Sequence, residues 1–143
     1  MSTLMSGIDK IVTWYSRQPR DFSDINTLMA ARQKLACLLA EMAAQLKDLY
    51  QQKCATEFQR KAAYSRFISE EMSVEKTSAA AAKILADAKI EEYLEREYQA
   101  EAEYKGSWIL YDAYRNVCDT MNQHISNLKQ ERSRDLSGQG SAN

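Results

Sequence analysis

The sequence predicts an all-α protein built on a long antiparallel helical hairpin of coiled-coil type. Its 143 residues include only four glycines and one proline, whereas β-sheet proteins need turn residues every few positions. Apolar residues recur at three- and four-residue steps over long stretches, as they do along one face of an amphipathic helix. Two such stretches of similar length follow one another, and a short turn between them would make the two helices antiparallel.

A short helix is expected over residues 6–17. Its apolar residues share one face, at positions i, i+3, i+4 and i+7: Ile8, Ile11, Val12 and Tyr15. Pro19 ends this helix because a proline disfavours helical geometry in the residue before it. Ser23 or Asp24 then provides a suitable N-cap for the next helix.

Two long helices are expected, over residues 23–71 and 74–133. The apolar series of the first approaches a heptad seam: Leu28, Ala31, Leu35, Leu38, Met42, Leu46, Leu49 and Tyr50. The apolar series of the second is Ile84, Leu85, Ala88, Leu94, Tyr98, Ile109, Val117, Met121, Ile125 and Leu128. We place a tight turn at Met72–Val74, with uninterrupted helix through Ser73 as the alternative. In that register Met42 would lie opposite Tyr104.

Residues 1–134 are expected to form a single helical domain. The stretch 135–143 is polar and rich in Gly and Ser, which predicts a disordered tail. A two-helix hairpin has little interior, so apolar residues remain on its flanks. Those flanks predict a homo-oligomer, either a dimer or a higher assembly.

The charge balance fits a soluble protein, and the cysteine usage predicts a protein of the reducing cytoplasm. The net charge of -1 supplies no overall field to attract nucleic acid or anionic lipid. The three cysteines, Cys37, Cys54 and Cys118, are odd in number and form no CxxC pair, which argues against a disulfide framework. We expect neither a signal peptide nor a membrane-spanning segment, because no long apolar run is present.

We expect no enzymatic activity, no cofactor and no metal. His124 is the only histidine, so a zinc site lacks ligands, and Cys118 lies about a third of a turn away from it around an ideal helix. Glu91, Glu92 and Glu95 could hold a divalent ion, but the Glu-x-x-His signature of di-iron helical bundles is missing. Four isolated glycines cannot build a phosphate-binding loop.

The candidate functional region is YLEREYQAEAEYKGSWILYDAY, residues 93–114, where tyrosines and a tryptophan alternate with acidic residues. Three interpretations remain open: packing within the fold or an oligomer, a binding face for another protein, and a stacking platform for bases. Tyrosine suits a protein interface because its ring packs while its hydroxyl stays hydrated. The residues of this partner or oligomer face are Tyr93, Glu97, Tyr98, Glu101, Tyr104, Trp108 and Tyr111.

Single-stranded nucleic acid is a possible but less favoured ligand. Base stacking needs cations interleaved with the rings, and acidic residues prevail here. A modest basic cluster lies elsewhere, at Arg60, Lys61 and Arg66. These side chains are either ordinary solvated charges or contacts for phosphate groups.

Three stretches within residues 28–132 carry a resemblance: SVEKTSAAAAK, YLEREYQAEAEYKGSWIL and MNQHISNLKQE. Through them the chain resembles a loosely defined group of small helical, coiled-coil-like tailed-phage proteins, often encoded near recombination or replication genes. The resemblance implies a phage or prophage setting, and so the cytoplasm of a bacterial host. It carries over no functional residues.

The sequence therefore favours a non-enzymatic protein that works by protein–protein interaction, as an accessory factor in phage recombination or replication. Two alternatives stay open. In the first, the acidic and aromatic face blocks a basic surface of a host defence or nuclease complex, which is an anti-defence role. In the second, the chain binds single-stranded nucleic acid through the Arg60–Arg66 end.

Overall fold

The computed structural model describes residues 2–140 and consists of helices joined by short connections. In chain order these are α1 (Ser2–Ser16), α2 (Ile25–Ser73), α3 (Ala79–Lys89) and α4 (Glu91–Gln139). No strand occurs within residues 2–140, so the predicted all-α class is confirmed. None of the described helices combines the length and the apolar character that crossing a membrane requires.

The connection after α2 differs from the predicted tight turn. Helix α2 runs through Ser73, and residues 74–78 then lead into α3. Ser78, rather than Ser73, is the N-cap, because its hydroxyl accepts a hydrogen bond from the Ala81 amide at 3.3 Å. Lys76 adopts a positive φ of 51°, a left-handed conformation typical of sharp changes in chain direction.

The helix predicted over residues 74–133 is two helices. Helices α3 and α4 meet at Ile90, whose amide still donates to the Ala86 carbonyl at 3.0 Å. At its other end α4 continues through residues 135–139, which were predicted to be disordered. There the Ser137 hydroxyl donates to the Arg134 carbonyl at 2.9 Å. Residues 141–143 of the predicted tail lie outside the described residues.

The described chain falls into two compact units, one within Met1–Gln45 and Ile109–Asn143 and the other spanning Leu46–Trp108. In the first unit, α1 and parts of α2 and α4 surround one hydrophobic core. Its buried residues are Leu4, Ile8, Ile11, Ile25, Leu28, Leu35, Leu39, Met42, Cys118, Met121 and Ile125. Leu28, Leu35 and Met42 of the heptad-like series belong to this core, and fully burying a leucine or isoleucine side chain is worth about 1.5–3 kcal/mol.

Helix α1 approaches α2 closely at Gly7. A Cβ atom at this position would lie 3.3 Å from Leu38 Cδ1, which is tighter than an ordinary van der Waals contact. The missing side chain therefore lets the two helix backbones come together.

Within the second unit α2 and α4 run antiparallel. Three contacts appear in opposite chain order on the two helices: Tyr50–Tyr104, Arg60–Glu97 and Phe67–Tyr93. Tyr104 thus lies against Tyr50 rather than Met42, about two helical turns away from the predicted register. The register shifts because α3 and its connection replace the tight turn.

Helix α3 packs within the second unit through small side chains. Ala82 and Ala86 are completely buried, and Ile90 is nearly so. Lys89 Nζ lies 2.5 Å from Glu71 Oε1, and this hydrogen bond raises the pKa of Lys89. The pair compensates the carboxylate of Glu71, which is buried.

Candidate protein-interaction surface

The structure divides the predicted partner face between two sides of α4. An inward row is half-buried and consists of Tyr93, Glu97, Glu101, Tyr104 and Tyr111. Tyr98 and Trp108 are 64% and 48% exposed, and of these two only Tyr98 lies on the opposite side of the helix. The inward residues follow steps of three, four and seven, which keep them on one face of a helix, whereas residue 98 is turned well away from that row.

The inward aromatic side chains are packing residues. The Tyr104 ring lies 5.4 Å from the Tyr50 ring, and Lys53 Nζ lies 5.7 Å from the Tyr104 ring centre. The Tyr93 ring meets Phe67 at 6.2 Å, nearly edge to face. For these residues the fold itself explains the aromatic content, because ring pairs of this geometry stabilise helix packing.

Tyr111 belongs to the first unit. There it is partly buried and packs against the hydrophobic core. It is therefore also explained by packing.

The two inward carboxylates meet basic groups. Glu97 forms an ion pair with Arg60 of α2, and Glu101 Oε1 lies 2.7 Å from Lys105 Nζ. The hydrogen bond from Lys105 lowers the pKa of Glu101. Both negative charges on this face are thus balanced within the second unit.

The predicted phosphate-binding cations are likewise balanced. Arg60 pairs with Glu97, Lys61 Nζ lies 2.6 Å from Glu57 Oε1, and Arg66 Nε lies 3.7 Å from Glu70 Oε1. The Arg66 guanidinium also lies over the Phe67 ring, at 5.2 Å from its centre. A phosphate group would have to compete with a carboxylate at each of these side chains.

One surface of α4 in the second unit has no such explanation. We call it the outer α4 surface: Glu91, Leu94, Glu95, Tyr98 and Ala102, which recur at i, i+3, i+4, i+7 and i+11. Together with Gln99 they line an open groove of about 560 Å³. Glu91 and Glu95 are exposed, and neither belongs to an ion pair among residues 2–140. The surface therefore combines an apolar strip with uncompensated negative charge.

Sequence reasoning misplaced Ile84 and Leu85, which it assigned to the packing series of the second long helix. Ile84 is 70% exposed and Leu85 is 41% exposed, while the neighbouring Ala82 and Ala86 are buried. The buried residues are spaced by four, at Ala82, Ala86 and Ile90. This spacing could have predicted the packed face of α3, but the prediction relied on the larger apolar side chains instead.

The remaining candidate residues have structural roles. His124 Nε2 lies 2.8 Å from the Phe22 carbonyl oxygen, and Nδ1 lies 3.3 Å from the Tyr15 hydroxyl. Cys118 is buried, and this burial raises the pKa of its thiol, which disfavours the reactive thiolate. Among residues 2–140, no three His, Cys, Asp or Glu side chains are grouped so that they could hold a metal ion.

Comparison with protein-family models, with curated proteins and with solved structures gives no match for this chain.

Proposed function

We propose that this chain is an antiparallel helical hairpin of coiled-coil type that has no catalytic activity and binds other proteins through the outer α4 surface. The observation that carries the proposal is the orientation of Tyr98. Its ring is 64% exposed, whereas Tyr93 and Tyr104 of the same helix turn inward and pack. An exposed ring within an apolar strip is typical of a binding site, and tyrosine is enriched among the residues that dominate interface energies.

The proposed setting is phage or prophage DNA metabolism in a bacterial cytoplasm. In this setting the protein acts as an accessory factor that engages a recombination or replication protein. The resemblance carried by residues 28–132 supports the setting. The near-zero net charge is consistent with a protein partner, because it supplies no general attraction for nucleic acid.

Co-purification tests this proposal. The immobilised chain is expected to retain a phage annealing or replication protein, and the Tyr98→Ala variant is expected to lose at least tenfold in affinity, as interface hot spots do. Phe58→Ala is the matched control, because Phe58 is an exposed aromatic residue on α2. Equal retention by the Tyr98→Ala variant and the wild type would contradict the proposal.

Inhibition of a host defence or nuclease complex is the second candidate function. It is favoured by Glu91 and Glu95, whose uncompensated charges flank the apolar strip and suit a basic surface. In this case the retained protein is a host nuclease or defence subunit. Binding should weaken with rising salt and fail in the Glu91→Lys/Glu95→Lys variant.

A further inference from the structure

A second groove lies in the first unit, between α1 and α2. It is open and has a volume of about 590 Å³, within the range of about 300–1,000 Å³ that suits compact ligand groups. Small residues from both helices contribute to its lining: Gly7, Ala30 and Ala31. Trp14 also lines it and is held edge to face against Phe22, with the ring centres 5.7 Å apart.

Two lysines give this groove a positive charge. Lys10 of α1 and Lys34 of α2 both line it and are both exposed. Neither belongs to an ion pair in the part of the chain that the structure describes. An apolar groove with two uncompensated lysines fits the apolar face of a helix that carries carboxylates.

The chain itself carries such a face. On the outer α4 surface, Leu94, Tyr98 and Ala102 supply the apolar strip, and Tyr98 extends into solvent. Glu91 and Glu95 lie on the same face, one helical turn apart. The two surfaces therefore match in both apolar character and charge, and they lie in different units of the chain.

We infer that the outer α4 surface of one copy docks into the α1–α2 groove of a second copy. Tyr98 enters the groove, and Glu91 and Glu95 lie beside Lys10 and Lys34. The contact joins two different surfaces, so it is heterologous. This inference rests on the proposed function, because it uses Tyr98 as the binding residue and names a second copy as its first partner.

A charge-swap experiment on the purified chain tests the inference. Light scattering after size exclusion should give the wild type a mass well above the 16.4 kDa of one chain. Lys10→Glu/Lys34→Glu makes both surfaces acidic, and Glu91→Lys/Glu95→Lys makes both basic. Each variant alone should associate about tenfold more weakly or worse, since lost ion pairs are replaced by repulsion.

An equimolar mixture of the two charge variants should recover the association. In the mixture each acidic surface of one variant meets a basic surface of the other, so both contacts are restored between unlike copies. Lys47→Glu/Lys129→Glu, a reversal of two other exposed lysines, should leave the wild-type mass unchanged. Ala30→Trp fills the groove without changing its charge and should abolish association.

Several results would overturn the inference: a wild type with the mass of one chain, a mixture that stays dissociated, or an Ala30→Trp protein that still associates. Loss of association in the Lys10→Glu/Lys34→Glu variant alone would show that the groove contacts a part of the second copy other than the outer α4 surface. If a charge variant loses its helical circular dichroism, the Ala30→Trp and Tyr98→Ala variants test the contact instead, because they leave the charges of both surfaces unchanged. Because only the purified chain is used, failure here is separate from failure to retain a phage or host protein.

Discussion

The Tyr114 hydroxyl donates a 2.6 Å hydrogen bond to Asp9 Oδ1, which joins α4 to α1 across 105 residues of sequence. Burial and the neighbouring Asp9 carboxylate together raise the pKa of Tyr114 to about 12. An unfolded tyrosine has a pKa of about 10. The neutral hydroxyl is therefore favoured by the folded state.

This pKa difference predicts a loss of stability at alkaline pH. Below about pH 10 the side chain is protonated in both states, and its contribution to folding is fully present. Between about pH 10 and pH 12 the unfolded chain ionises while the folded chain keeps its proton, so the free energy of unfolding falls. Urea titrations should show a shallower decline for Tyr114→Phe than for the wild type. Asp9→Asn, which keeps an acceptor oxygen but removes the charge, should fall between them, and identical slopes for all three would contradict the assignment.

His124 should be energetically coupled to Tyr15. With its Nε2 proton donated to Phe22, the imidazole accepts from the Tyr15 hydroxyl through Nδ1. His124→Ala leaves both partners without it and should cost about 1–3 kcal/mol, while Tyr15→Phe should cost about 0.5–1.5 kcal/mol. A double-mutant cycle by urea unfolding should give a coupling of at least about 0.5 kcal/mol. Simple additivity would mean that the 3.3 Å contact contributes nothing.

A substitution at Ile84 of α3 should change the stability of the protein little, whereas a larger residue at Ala86 should lower it. Because Ala86 is completely buried, Ala86→Leu forces α3 away from the side chains it packs against and should cost about 1–3 kcal/mol. Ile84→Ala removes a mostly exposed side chain and should change stability by no more than about 0.5 kcal/mol. Thermal or urea unfolding measures both. The reverse order would show that α3 packs through its larger residues.

The basic cluster predicts little affinity for single-stranded DNA. Arg60, Lys61 and Arg66 each have a carboxylate partner, so few counterions would be released on binding. A labelled oligonucleotide should not shift at micromolar protein and moderate salt. A salt-sensitive shift that Arg60→Glu/Lys61→Glu/Arg66→Glu abolishes would support nucleic-acid binding instead.

The long helices could be predicted because their apolar spacing has no competing interpretation. Leu28, Leu35 and Met42 repeat every seven residues, and all three are almost completely buried. The break before α3 was predicted a few residues too early, at Met72–Val74, because Ser73 and Ser78 are both suitable N-caps by residue type. The break between α3 and α4 at Ile90 had no comparable signal, because the α3 sequence AAAAKILADAK is helix-forming throughout.

The composition of the candidate face could be predicted, but its division into two sides could not. On an ideal helix Tyr93, Tyr104 and Trp108 fall within a narrow arc, so the sequence groups them. Which edge of that arc is covered depends on the register between α2 and α4. Inserting α3 changes that register, so Tyr104 meets Tyr50 while Trp108 remains 48% exposed.

The order of the two units along the chain makes the second one, Leu46–Trp108, a continuous insertion between the two segments of the first. Removing seven residues from α2 and seven opposing residues from α4 inside this insertion would shorten the paired stretch by about 10 Å. The heptad phase would be kept, and the core around Met121 would lose none of its residues. The length of the Leu46–Trp108 unit can therefore change by whole heptads, during evolution or in the laboratory, without any substitution in the core of the first unit.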